Sequence, residues 1–216
     1  MQGRRKIGTV LVIDDDAAVR RSLSRLLRSA DYDVYDYGSV SEFRQAELPN
    51  EPVCILLDLY MPHETGLDLQ SELVTRAYHP PIVFLSGHAD VNSSVTAMRN
   101  GAVDFLEKPI DDILLLKTID QAIRNDIETR TAQRRDAELR KRVAALTPRE
   151  HEVLTHVISG RLNKQIAFNL GISEKTVKVH RGRMMEKLNV HSVAALTRLC
   201  EEAGVEPVLL EQRVSV

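Results

Sequence analysis

The chain has 216 residues, of which 43% are hydrophobic and 28% charged, as is typical of a soluble protein with one large or two small domains. It contains no run of about 18 apolar residues and no signal peptide, and its two cysteines, Cys54 and Cys200, lie far apart, so we expect a cytoplasmic protein without a disulfide or a membrane contact. The net charge of −2 hides an acidic first half, where residues 7–124 carry 19 acids and 10 Lys or Arg, and a mildly basic second half that permits nucleic-acid contact.

The first half of the chain alternates strand-like and helix-like patterns. The strand candidates are short and rich in apolar and β-branched residues, and apolar stripes at helical spacing, such as Val19, Leu23 and Leu27, lie between them. Five such repeats predict an α/β fold with a doubly wound sheet of five parallel strands. The predicted strands are residues 9–13, 33–37, 53–57, 82–85 and 103–106.

Polar side chains follow four of the five predicted strands. Asp14 and Asp15 come after the first strand, Asp58 after the third, Ser86 after the fourth and Lys108 shortly after the fifth. Because the carboxyl ends of parallel strands meet at one edge of a sheet, and sites form there, we expect these side chains to converge.

The chemistry of this set points to phosphoryl transfer. A carboxylate such as Asp58 can accept a phosphoryl group covalently if a cation neutralises the phosphoryl oxygens. Asp14 and Asp15 can hold Mg²⁺ together with Asp58. Lys108 supplies a further positive charge, and the Ser86 hydroxyl can follow the phosphate. A cis peptide bond between Lys108 and the proline after it is one way to aim the lysine, although only a minority of such bonds are cis. Taken singly these signals are weak, because an Asp at a strand end usually caps a helix or forms a turn.

Residues 125–146 predict a continuous charged helix that joins two domains, because they contain no Gly or Pro and are rich in helix formers. Their apolar stripe is weak in the middle and returns at Leu139, Val143 and Leu146. The segment is therefore either a solvated spacer or a marginal dimer coil.

The rest of the chain, residues 147–216, predicts an all-α domain of four helices. Thr147 and Glu150 form a capping box around a proline, which begins a helix. Gly171 separates a short helix, residues 163–170, from a longer one, residues 174–188, and this unit fits a helix-turn-helix.

The helix of residues 174–188 has a predicted buried face and a predicted outward face, at about 100° per residue. Lysine and arginine on the outward face suit phosphate contact, and a valine there can touch a thymine methyl group, although such a face is also an ordinary solvated one. The buried face is Val177, His180, Met184 and Leu188. The outward face is Lys175, Val179, Gly182 and Glu186, flanked by Thr176, Lys178 and Arg183.

Residues 7–124 resemble the receiver domain of two-component response regulators through the segments VLVIDDD, LLDLYMP, LSGHAD and GAVDFLEKP. The resemblance implies a flavodoxin-like fold with Asp58 as the phosphoacceptor, and Asp14 and Asp15 as the acid pocket. It further implies that the Tyr60 backbone carbonyl is a Mg²⁺ ligand, that Ser86 and Phe105 are switch residues and that Lys108 contacts the phosphate.

Residues 146–202 resemble the LuxR/FixJ-type four-helix DNA-binding domain. The resemblance implies that 174–188 is the recognition helix, that Asn163 and Lys164 lie near phosphate, and that the final helix, about 192–202, makes a dimer contact. Lys178, Val179 and Gly182 fall where this family commonly meets bases.

We therefore expect a transcriptional response regulator rather than an enzyme. A histidine kinase would phosphorylate Asp58, and the protein would then dimerise and bind promoter DNA, with RNA polymerase as a further candidate partner. One alternative is a phosphatase-like hydrolase built on Asp14 and Asp16, but Ala18 stands where it needs a hydroxyl. Another is a DNA-binding protein whose receiver only scaffolds a dimer, against which the complete acid pocket argues.

Overall fold

The computed structural model describes residues 6–87 and 91–208. The chain divides into two compact units, residues 1–130 and 131–216. Among the described residues, none of the helices combines the length and the apolar character that crossing a membrane requires.

The first unit is a five-stranded parallel sheet in the order β2-β1-β3-β4-β5, with helices between the strands, as the sequence predicts. The strand order reverses beside β1, and ligands bind such sheets at the carboxyl ends of the strands near that point. The strands are β1 (Thr9–Ile13), β2 (Asp33–Tyr37), β3 (Val53–Asp58), β4 (Ile82–Ser86) and β5 (Asp104–Glu107). The helices are α1 (Ala17–Ser29), α2 (Val40–Arg44), α3 (Gly66–Leu73), α4 (Val91–Arg99) and α5 (Asp112–Ala144).

The central strands are buried throughout and mostly apolar because both faces of the sheet are covered. In β1, Val10 and Val12 pack into one core, whereas Leu11 and Ile13 pack into the other. This is the alternation that a strand imposes on successive side chains. The burial holds the strand ends in fixed register, which positions the polar residues that follow.

The opposite, amino-terminal edge of the sheet contains a buried ionic cluster. The carboxylate of Asp126, on α5, accepts hydrogen bonds from Val53 N at 2.8 Å, Tyr78 Oη at 2.7 Å and Arg130 Nε at 2.7 Å. The guanidinium of Arg130 also donates to the carbonyls of residues 49 and 50, and it lies 4.5 Å from the centroid of the Tyr78 ring. Burial and the neighbouring Asp126 raise the pKa of Tyr78, so its hydroxyl stays a donor.

The helix α5 continues without a break through most of residues 125–146, so the prediction of a helical joining segment is confirmed. Whether this segment acts as a spacer or as a dimer coil stays a prediction.

The second unit is all-α, and its helices form one apolar core together with Leu139 of α5. The predicted capping box of Thr147 and Glu150 is present, and Gly171 ends its helix in the left-handed region at φ 63°, where glycine is favoured. The Glu150 carboxylate also accepts a hydrogen bond from Lys187 Nζ at 2.7 Å. The helices are α6 (Pro148–Ile158), α7 (Asn163–Leu170), α8 (Glu174–Leu188) and α9 (Val193–Ala203), which confirms the predicted fold class.

Candidate acid pocket and nucleic-acid interface

Three carboxylates meet at the carboxyl edge of the sheet. The strands β1 and β3 are adjacent, with Ile13 paired to Leu57, so the next residues, Asp14 and Asp58, lie side by side. Each of Asp14, Asp15 and Asp58 offers an oxygen, and these oxygens lie within 4.8 Å of one another. Asp14 and Asp58 are only 1% and 6% exposed, whereas Asp15 is open to solvent.

Lys108 is the cation of this pocket. Its Nζ donates to Asp14 Oδ2 and to Asp58 Oδ1, at 2.7 Å in both cases. The backbone N of Lys108 also donates to the carbonyl of Ser86 at 2.7 Å, which attaches the loop after β5 to the end of β4. The peptide bond between Lys108 and Pro109 is cis, a conformation that the sequence leaves open.

The electrostatics of the pocket are those of crowded negative charge. Burial raises the pKa of Asp58, and the nearby Asp14 and Asp15 raise it further, while the hydrogen bond from Lys108 opposes both. Burial alone would lower the pKa of Lys108, but its hydrogen bonds to Asp14 and Asp58 leave that pKa raised. Lys108 therefore stays protonated at neutral pH.

The donor set fits a hard divalent cation. Carboxylate oxygens are the protein ligands that Mg²⁺ prefers, and it keeps some water or phosphate oxygens as well. The exposed side chain of Asp15 leaves the pocket open on one side, where such ligands can enter. A dication here would also relieve the repulsion that raises the pKa of Asp58.

The other residues predicted for this site lie on β4, on β5 and just after β3. Ser86 is fully buried as the last residue of β4. Phe105, on β5, is partly buried and stacks on Phe84 with ring centroids 6.2 Å apart. Tyr60 lies two residues beyond Asp58, with a half-exposed side chain. Its role as a metal ligand stays a prediction.

Two residues near the pocket were missed by the sequence reasoning. A Cβ on Gly66 would lie 2.5 Å from the carbonyl O of Asp58, so only glycine lets α3 begin this close to the end of β3. Arg20 Nη1 donates to the carbonyls of Asp14 and Asp15, at 2.7 and 3.0 Å. The only available signals were a glycine at a helix start and an arginine one turn into α1, and both are common.

The second candidate site is the outward face of α8. Val177, Met184 and Leu188 are fully buried and His180 is partly buried, as the helical periodicity predicts. The predicted outward residues are all exposed, as are the flanking Lys178 and Arg183, whereas Thr176 is partly buried; the outward set is Lys175, Val179, Gly182 and Glu186.

The positive charges of this face are available for a ligand. Among the described residues, no carboxylate lies within 4 Å of Lys164, Lys175, Lys178 or Arg183. Asn163, at the start of α7, is partly buried and accepts a hydrogen bond from Arg181 Nη1 at 3.0 Å, which ties α7 to α8. An exposed face with unpaired cations on the second helix of a helix-turn-helix is suited to a DNA groove.

A parallel α/β sheet with an acid pocket, followed by a helix-turn-helix unit, defines a signal-responsive DNA-binding regulator. Comparison with family models agrees: residues 10–120 match the response regulator receiver domain, and residues 144–200 match the bacterial regulatory proteins of the luxR family. The chain belongs to the response regulators of two-component systems and combines a receiver domain with a LuxR-type DNA-binding domain.

Similar proteins cover nearly the whole chain. Nodulation protein W of Bradyrhizobium diazoefficiens is 42% identical over 94% of this chain and 89% of that protein. The transcriptional regulatory protein FixJ of Azorhizobium caulinodans is 40% identical over 92% of this chain and 94% of that protein. Among solved structures, the response regulator StyR matches with a TM-score of 0.82 and 43% identity, over 90% of this chain and 98% of that one. Full-length FixJ from B. japonicum matches with a TM-score of 0.55 and 38% identity, over 93% and 98% of the two chains.

Proposed function

We propose that Asp58 is the phosphoacceptor of this response regulator and that a cognate histidine kinase supplies the phosphoryl group. One observation carries the proposal: the Asp58 carboxylate lies within 4.8 Å of the Asp14 and Asp15 carboxylates and 2.7 Å from Lys108 Nζ. A nucleophile, a place for a dication and a mobile ammonium group are thus within reach of one phosphoryl group.

In the proposed reaction an oxygen of Asp58 forms a bond to the phosphorus of a phosphohistidine, and the bond from that phosphorus to nitrogen breaks. The released imidazole takes a proton from solvent. Mg²⁺, held by Asp14, Asp15, Asp58 and the Tyr60 carbonyl, supplies positive charge to the phosphoryl oxygens when it is bound. Lys108, which already contacts Asp58, pairs with a second phosphoryl oxygen.

The phosphate then alters the surface formed by α4, β5 and the start of α5. The Ser86 hydroxyl moves to the phosphoryl group, and Phe105 moves inward behind it. The surface is suited to dimerisation because it exposes large apolar side chains in the unphosphorylated chain. They are Val91, Val95 and Met98 on α4, with Ile113 and Leu114 on α5.

Dimerisation brings two recognition helices to paired half-sites in promoter DNA. Lys178, Val179 and Gly182 meet the bases, and Lys175, Thr176 and Arg183 flank them. Asn163 and Lys164 lie near phosphate. The unpaired charges of α8 support this assignment, and RNA polymerase is a further candidate partner of the DNA-bound dimer in the cytoplasm.

The test combines phosphorylation with DNA binding. Genomic footprinting with and without acetyl phosphate identifies an operator, and the full chain and its variants are then incubated with acetyl phosphate and Mg²⁺. Asp58→Asn should show no added phosphoryl mass, no dimer and no gain in operator affinity, whereas Asp120→Asn, a surface control, should behave like the wild type. Lys178→Ala should keep phosphorylation but bind the operator about tenfold more weakly.

Two outcomes would contradict the proposal. Phosphate-dependent dimerisation of Asp58→Asn would remove Asp58 from the role of phosphoacceptor. An operator affinity that is the same with and without the phosphodonor would favour a receiver that only scaffolds a dimer.

A further inference from the structure

The side chain of Arg20 lies behind the acid pocket, on the first turns of α1. Its Nη1 donates to the carbonyl of Asp14 at 2.7 Å and to the carbonyl of Asp15 at 3.0 Å. The Arg20 side chain is only 18% exposed. Both contacts are to backbone carbonyls, whereas the Asp14 carboxylate accepts hydrogen bonds from Asp16 N at 2.8 Å and from Lys108 Nζ at 2.7 Å.

The guanidinium group also faces a carboxylate on β2. Arg20 Nε lies 3.7 Å from Asp36 Oδ2, beyond hydrogen-bond distance, and it is buried without a hydrogen-bond partner among the described residues. A Cβ on Gly38 would lie 3.5 Å from both terminal nitrogens of Arg20. The backbone N of Asp14 also donates to the carbonyl of Tyr37 at 3.2 Å. The turn that carries the acid pair is therefore attached to the end of β2 by one backbone hydrogen bond and to α1 by the guanidinium group of Arg20.

We propose that Arg20 is a positioning residue for the metal site: by fixing the carbonyls of Asp14 and Asp15, it aims their carboxylates at the space beside Asp58. The two carbonyls lie in the peptide planes that follow Asp14 and Asp15, and fixing these planes fixes the backbone from which the two side chains project. The inference rests on the proposed function, because it assumes that this pocket holds Mg²⁺.

Substitution of Arg20 tests this role, because charge and positioning predict opposite changes in Mg²⁺ affinity. A positive charge near the pocket repels a dication, so if charge alone mattered, the removal of Arg20 would tighten Mg²⁺ binding. If positioning dominates, the same removal loosens the turn and weakens binding. Residues that orient metal ligands typically contribute about 10- to 100-fold in metal affinity.

The experiment is a calorimetric titration of the full chain with MgCl₂ in the absence of any phosphodonor. Arg20→Gln should bind Mg²⁺ about tenfold more weakly than the wild type. Arg20→Lys should also bind more weakly, although it keeps the charge, because an ammonium group lacks the planar arrangement of donors. Arg25→Gln is the matched control, since Arg25 lies exposed on the same helix, and it should bind Mg²⁺ like the wild type.

A kinetic measurement separates positioning from general damage to the fold. Phosphorylation by acetyl phosphate is followed over a range of Mg²⁺ concentrations. In Arg20→Gln the half-saturating Mg²⁺ concentration should rise about tenfold, while the rate at saturating Mg²⁺ stays within about twofold of the wild type. A misfolded variant would lose the saturating rate and its thermal transition, and Arg20→Lys, the milder change, would then decide.

The outcomes also distinguish this inference from the proposed function. Wild-type affinity or tighter Mg²⁺ binding in the Arg20 variants overturns the positioning role alone. A wild-type chain that binds no Mg²⁺, or that takes no phosphoryl group on Asp58, overturns the proposed function and the positioning role together.

Discussion

Asp126 is buried at the amino edge of the receiver sheet and Asp58 at the carboxyl edge. The two carboxylates differ in the hydrogen-bond donors that surround them. At the amino edge, Asp126 is 1% exposed and accepts hydrogen bonds from a backbone NH, a tyrosine hydroxyl and a guanidinium group. At the carboxyl edge, Asp58 is 6% exposed and accepts a hydrogen bond from Lys108, which it shares with Asp14.

The difference separates a carboxylate that the fold neutralises, Asp126, from the carboxylate that we propose as the phosphoacceptor, Asp58. A buried carboxylate with a full set of donors keeps its charge and ties distant segments together. A buried carboxylate that is crowded by other acids destabilises its own site, and the surrounding strands hold it there. The missing neutralisation at Asp58 is what a dication would supply.

The largest expected effect is at the amino edge. Arg130→Met should cost the first unit about 3–5 kcal/mol, because it leaves the charge of Asp126 buried without its cation. Arg124→Met, at an exposed i, i+4 pair on the same helix, should cost less than about 0.5 kcal/mol. All five tyrosines lie in residues 32–78, so urea unfolding followed by tyrosine near-ultraviolet circular dichroism reports on this unit. Equal losses in the two variants would mean that Asp126 does not depend on Arg130.

At the carboxyl edge we expect a substitution to raise the free energy of unfolding of the first unit rather than lower it. Asp58→Asn should stabilise the first unit by about 1–2 kcal/mol at neutral pH with Mg²⁺ chelated, because it removes a buried negative charge from beside Asp14 and Asp15. The raised pKa of Asp58 means that the folded chain binds a proton more readily than the unfolded chain, whose value is near 3.8. Wild-type stability should therefore recover as pH falls through the folded pKa, and the advantage of Asn should shrink.

The same urea titrations, repeated from neutral to acidic pH, measure this difference. An Asn variant that is less stable than the wild type at neutral pH would show that Lys108 fully compensates the charge of Asp58. The two edges would then be alike.

The acid pocket could be predicted from the sequence because its position follows from one rule. Parallel strands end at the same edge, so Asp14 and Asp58, each placed at the end of an apolar run, had to meet if the runs were strands. The outward face of α8 was predictable for a similar reason, since a single helical period separates Val177 and Met184 from Lys175 and Val179.

The amino-edge cluster could not be predicted, because it depends on distant pairs. Asp126 meets residues 48 and 73 positions away, and Arg130 meets carbonyls 80 and 81 positions away. In the sequence both are ordinary charged residues of a helix, and periodicity carries no information about such partners. Arg20 and Gly66 could not be predicted either, because their contacts are with backbone atoms, which a pattern of residue types does not reveal.

The smallest expected effect extends the comparison to the second unit. Glu150 is a further buried acid, and like Asp126 it has more than one donor: Lys187 Nζ at 2.7 Å and the backbone N of Thr147 at 2.9 Å. Its hydrogen bond to Lys187 lowers the pKa of Glu150 to about 2. Glu150→Gln should therefore cost about 1 kcal/mol at neutral pH, whereas Glu152→Gln, at an exposed pair, should cost almost nothing.

The pH dependence of this effect has the opposite sign to that of Asp58. A lowered folded pKa means that the stabilisation by Glu150 is complete above its unfolded value, near 4.5, and is lost as pH falls towards 2. Amide hydrogen exchange in α6 and α8 measures it, because these helices belong to the second unit alone. A loss in Glu150→Gln that persists unchanged down to pH 2 would attribute the effect to packing, and Glu150 would then not be a counterpart of Asp126.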